Sequence, residues 1–125
     1  MDADYFDWIN KELIPFFKKK TEECMKKGFA YDFLLAADAA KHAEAMAVQD
    51  LVYHAPSCML GDAKEENAAK RSISNNDFYG ALELVAADIC SDAEHREILE
   101  RNSTIGIGIA FDRNNHNVYV VQRMK

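Results

Sequence analysis

Two histidines and a small group of carboxylates are the residues of this chain whose types and spacing point to chemistry. His54 and His95 each fall at the edge of a helical stretch, with Glu65 and Glu66 downstream of the first and Asp92 and Glu94 beside the second. Two imidazoles with one or two carboxylates can hold zinc, each ligand binding in its deprotonated form, or can divide proton donation and acceptance between them. Structural uses compete for two of the acids. Glu94 completes a capping box with Ser91, and Asp92 suits the positive end of the helix that follows. The other histidines read differently: His42 lies inside an alanine-rich helix as a packed or half-exposed residue, and His116 sits solvated in a polar turn.

Other chemistries lack their pattern. There is no G-x-S-x-G, H-E-x-x-H, P-loop or G-x-G-x-x-G arrangement, and Gly106-Ile107-Gly108 lies inside a strand, not at the strand-to-helix turn that cradles phosphate. Cys58 or Cys90 as a nucleophile would need an activating base, and only His54, near Cys58, offers one locally. Cys24, Cys58 and Cys90 have no C-x-x-C spacing, so neither a full disulfide framework nor a zinc ribbon is indicated. At most one pair can form.

The elements that must position these residues follow from periodicity and punctuation. Phe6, Ile9 and Leu13 make a helical stripe over residues 4–14 that Pro15 is expected to end or kink. The lysines and glutamates of 18–27 mark a solvated face, Gly28 is the expected stop, and Asp32 the cap of the next helix. That helix, 33–52, carries seven alanines, reads as the spine of the core, and leaves room for other backbones to come close. Residues 56–76 read as a long surface connection with little regular structure. Asn76 or Asp77 caps a helix with the stripe Phe78, Leu82, Val85 and Ile89, and Ser91 with Glu94 starts a short one bearing His95 in its first turn. Ile105, Ile107, Ile109 and Phe111 then alternate with Gly106, Gly108 and Ala110, a strand with one bulky and one bare face. Something must approach the bare face. A polar turn leads to Val118–Gln122, apolar at nearly every position, so the two strands form an antiparallel hairpin covered on both sides. Helices on a sheet covered on two faces define an α+β sandwich.

Length and charge set the outer limits. The 125 residues suit one domain, 1–125, and the 49% apolar and 29% charged content is that of an ordinary globular chain. A net charge of −6 and a pI near 5.1 argue against a non-specific nucleic-acid binder or an anionic membrane surface, which need a basic face. No apolar window is long enough to span a membrane, and Met1-Asp2-Ala3-Asp4 does not begin a secretion signal. The chain therefore reads as cytosolic or as a mature part whose leader was removed.

An ordered set of short matches resembles the CAP superfamily, the SCP domain of cysteine-rich secretory, antigen 5 and pathogenesis-related proteins, and most closely its prokaryotic branch. The set comprises Leu35, Ala39-Ala40, His42-Ala43, Met46-Ala47, His54, Glu66-Asn67-Ala68-Ala69, His95-Arg96 with Ile98-Leu99, Ile105 to Gly108 and Tyr119 to Gln122. It covers residues 33–122. The resemblance implies an α-β-α sandwich, with a small antiparallel sheet between helices and a cleft where two histidines and two acids take zinc or another divalent metal. By the same resemblance His54 and His95 are the cleft histidines and metal ligands, Glu66 and Asp92 its acids, and Asn67 a structural partner. Ile89 stands where the family has tryptophan, Glu65 where it has glycine, and the link from Leu99 to Ile105 is shorter than the family's. Family members are commonly secreted, which implies an extracellular setting.

The expected function is a non-enzymatic secreted binding module whose cleft of His54, Glu66, Asp92 and His95 holds a metal or small ligand, and whose surface meets a protein or lipid partner. The alternative is a metal-dependent hydrolase, with a metal on His54 and His95 activating water and Glu66 as base. A third is a closed cleft in which the four side chains merely satisfy one another.

Overall fold

In this computed structural model, which describes residues 3–56, 60–61 and 63–125, the alternation of glycine and isoleucine resolves into one close contact between backbones. The strand Thr104–Phe111 (β3) turns its bare face to the helix Phe33–Gln49 (α3). A Cβ on Gly106 would fall inside 3.0 Å of Leu35 and Ala36 backbone atoms, and one on Gly108 inside 3.0 Å of Ala39 and Ala40. Only glycine lets the helix sit this low.

The sheet has the order β1-β3-β4-β2, with β1 at Ala30–Tyr31, β2 at Glu65–Ser72 and β4 at Asn117–Met124. The β3–β4 hairpin is antiparallel as expected, β2 pairs antiparallel with β4, and the two-residue β1 runs parallel to β3. α3 covers one face, burying Ala39, Ala43 and Met46 against Ala68, Tyr119 and Val121. The other face packs Ile105, Ile107, Val118, Val120 and Met124 against Leu13, Phe17, Leu82, Ile89 and Leu99. These come from the N-terminal helices, from α4 (Phe78–Ser91) and from α5 (Ala93–Arg101). The α+β class and the three layers match the sequence reading.

Several local expectations are corrected. Pro15 does not end the first helix: α1 (Ala3–Trp8) passes through a π-helical turn, Ile9–Leu13, into α2 (Ile14–Met25), with Pro15 in the first turn of α2. The wider turn re-registers the ladder, Ile14 N–H bonding Ile9 C=O, so Pro15's missing donor falls where a helical segment begins. Gly28 is not the stop; Lys26 takes the left-handed conformation (φ 53°) that closes α2. α3 likewise ends at Gln49, short of 52, with Asp50 left-handed at φ 51°, while Asp32 caps its start by accepting from Leu34 and Leu35 N–H. The stretch 56–76 is not all loop, since it contains β2.

A further correction concerns the helix that carries His95. Ser91 is the last residue of α4, its hydroxyl donating to the Ala87 and Asp88 carbonyls, and no capping box forms. Asp92 is the cap of α5, its carboxylate accepting from His95 N–H at 3.1 Å. Asp77, one of the two expected residues, caps α4 through Gly80 N–H. Cys24 and Cys90 form a disulfide between α2 and α4, with Cα atoms 6.4 Å apart. Cys58 lies outside the described residues, as do Met1 and Asp2.

Candidate functional site

Successive side chains of a strand point to opposite faces, so β2 sends Glu66 toward α3 and Asn67 toward the helical layer on the other side. Glu66 stands opposite Arg123 in the ladder, and its Oε2 accepts from Arg123 Nε at 3.0 Å. The two side chains are only 2% and 5% exposed, so each charge supplies the partner that burial demands of the other. Oε1 accepts from Ala55 N–H at 3.1 Å, which ties the segment after α3 to the sheet. His42 Nε2 and His54 Nδ1 each lie 3.5 Å from the same oxygen.

The two imidazoles differ in freedom. His42 is buried, and its Nε2 donates to the Tyr53 carbonyl at 2.7 Å; because a carbonyl only accepts, Nε2 carries the proton. His54, by contrast, has a side chain 61% exposed and faces solvent at the lip of the site. A cleft of about 380 Å³ opens here, bordered by Asp38, Lys41, His42, Tyr53, Ala55, Pro56 and Arg123. A larger, mostly apolar hollow of about 700 Å³ lies between α2 and α3 around Ile14, Pro15, Ala36 and Ala40. It holds none of the histidines or acids, so the chemistry belongs to the smaller cleft.

The second expected pair is built separately. Asp92 Oδ2, the α5 cap, lies 3.2 Å from His95 Nδ1, and the His95 carbonyl accepts from Asn67 Nδ2 at 3.2 Å. Asn67 also donates to Gln122 Oε1, and Gln122 to Thr21 Oγ1, each at 3.2 Å, a buried polar chain from α5 across the sheet to α2. Asn67 Oδ1 is buried with no partner among the described residues. Glu65 anchors the end of α5 through Arg101 and Asn102, and the Arg101 guanidinium holds its carboxyl below the usual range. Thus His54 joins Glu66 and His95 joins Asp92. Among the described residues no hydrogen bond or ion pair links the two pairs. Among the same residues, no group of three or more His, Cys, Asp or Glu side chains is placed to hold a metal ion.

Sequence reasoning missed two members of the site, His42 as a partner of Glu66 and Arg123 as its counter-charge. Arg123 carried a readable signal: a lone cation at the end of a strand covered on both faces requires an acid opposite. His42 carried none, since a helical histidine facing the core looks the same with or without a carboxylate above it.

Helices on both faces of a four-stranded sheet, layered this way, make an α-β-α sandwich, and comparison with solved structures agrees in fold. An outer surface protein from Borrelia burgdorferi superposes with a TM-score of 0.68 at 15% identity, over 94% of each chain. NaASP2, solved with Zn2+, superposes with a TM-score of 0.68 at 14% identity, over 88% of this chain and 77% of that one. At these identities the likeness is one of fold. No family model matches the sequence, and no curated protein matches it. Among the described residues, no helix is long and apolar enough to cross a membrane.

Proposed function

We propose that the chain is a binding module whose cleft, lined by His42, Tyr53, Ala55 and Arg123 around the buried Glu66 carboxylate and with His54 beside it, takes a small polar ligand. The observation that carries this reading is the commitment of the Glu66 carboxylate: Arg123 holds one oxygen and Ala55 N–H the other, while the exposed His54 ring stands beside them. A carboxylate fixed in a buried ion pair is a poor general base for water, so the arrangement favours recognition over metal-dependent hydrolysis. The cleft volume of about 380 Å³ falls within the range of roughly 300–1,000 Å³ common to small-molecule sites. The Cys24–Cys90 disulfide supports an oxidising, extracytoplasmic setting, and so does likeness in fold to a protein named for the outer surface.

A heteronuclear NMR titration of the full chain tests this, with a library of small polar fragments in one arm and Zn2+ in the other. At least one fragment is expected to shift the signals of His42, His54 and Ala55 first, and the shifts are expected to vanish in His54→Ala. A library with no binder at this cleft overturns the reading. Zinc that binds in a one-to-one ratio and is lost in the His54→Ala, His95→Ala double variant would replace it with a metal centre. Zinc-dependent turnover of peptides or esters would replace it with the hydrolase.

A further inference from the structure

The outward face of α3, opposite the alanines packed on the sheet, carries Leu34, Ala37, Lys41, Glu44 and Val48, with Leu51 just past the helix end. All six are exposed, and the three large apolar side chains are so to an unusual degree: Leu34 by 73%, Val48 by 87% and Leu51 by 54%. From Leu34 to Val48 the spacing alternates three and four residues, the period of a coiled-coil seam, and Leu51 follows the left-handed Asp50 that closes the helix. Their order is symmetric about the level of His42 and Ala43. A second copy laid antiparallel across that point sets Leu34 against Leu51, Ala37 against Val48 and Lys41 against Glu44, each pairing occurring twice. Among the described residues neither Lys41 nor Glu44 has an ion-pair partner within its own chain.

We propose that this face is the seam of a two-fold homodimer, closed by Leu34 and Leu51 at its ends and by two Lys41–Glu44 pairs at its centre. A two-fold interface must be self-complementary, residue i meeting j while j meets i, and this stripe meets that condition in the order of its side chains and in charge. A heterologous partner would not require the chain's own charges to match each other. One helix pair buries less than the roughly 1,600 Å² of a standard stable interface, so the dimer forms and dissociates with concentration.

Sedimentation equilibrium of the full chain over serial dilution reads the proposal directly, with mass rising toward twice that of the monomer as concentration increases. Lys41→Glu and Glu44→Lys, each placing like charges across the axis, are expected to weaken self-association by about tenfold or more. Mixed together, the two variants restore the opposite-sign pairs and form the heterodimer, and the double exchange Lys41→Glu, Glu44→Lys recovers the homodimer. A chain that stays monomeric at its highest soluble concentration overturns the proposal. So does self-association that ignores the single changes, or a double exchange that fails to restore it. Circular dichroism of each variant separates loss of pairing from loss of fold.

Discussion

Arg123 Nε lies 3.0 Å from Glu66 Oε2, and both side chains are almost sealed from solvent. Removing Arg123 deprives the buried Glu66 carboxylate of its counter-charge, and breaking a buried pair in this way costs about 3–5 kcal/mol. Arg123→Ala is therefore expected to lower the urea midpoint sharply. The combined change Arg123→Met, Glu66→Gln should recover much of the loss, because it removes both charges at once.

Gly106→Ala and Gly108→Ala each push a methyl group into the backbone of α3. Overpacking of this kind costs typically about 1–3 kcal/mol, and more where backbone has to move. Gly28→Ala is the control, since its Cβ would meet only Glu22 Oε2 at an ordinary 3.7 Å. Thermal melts should separate the pair from the control.

The Cys24–Cys90 bridge closes a sequence separation of 66 residues. Its loss in Cys24→Ser, Cys90→Ser should cost roughly 2–4 kcal/mol, chiefly by freeing the unfolded chain. Denaturant curves with and without reductant measure it, and reductant should leave the double variant unchanged.

Asp92→Ala should cost about 1 kcal/mol by removing the α5 cap. Ser91→Ala should be nearly silent, because that hydroxyl only bonds back within α4. The reverse order of losses would make Ser91, and not Asp92, the cap of α5.

Stability should fall in acid. Arg101 holds the Glu65 carboxyl below its ordinary value, Lys70 and Tyr119 do the same for Asp50, and Leu35 N–H and Lys125 for Asp32. With folded pKa values depressed, the unfolded chain takes up protons first on acidification. The contribution is thus complete above the usual carboxylate pKa of about 4 and is lost as pH drops through the lower folded values. Melting temperature against pH should be flat near neutrality and decline below about pH 4, less steeply in Arg101→Ala.

The layers were legible because they follow from periodicity: the Ile105–Phe111 alternation, the alanine helix and the Phe78–Ile89 stripe each state which face is buried. β2 was not, because Glu65-Glu66-Asn67-Ala68-Ala69-Lys70-Arg71-Ser72 has no apolar alternation and poor strand propensity. Its Glu65, Glu66 and Asn67 find their partners only once Arg101, Arg123 and Gln122 are in place. The same cause hid half the candidate site. His54 and Glu66 could be named from their types, but the cation that holds Glu66 belongs to a strand 57 residues away. The Ser91 cap misled because Asp92, the next residue, offers the same chemistry one position later.

The parity of β2 has a consequence for how its pairing is enforced. Sliding the strand one way would carry Glu66 to the buried place of Asn67 opposite Gln122, and sliding it the other way would leave Arg123 facing the Asn67 amide. Alignment here is policed by an electrostatic misfit in either direction, a lock that needs no bulky side chain and that a single inserted residue would spring.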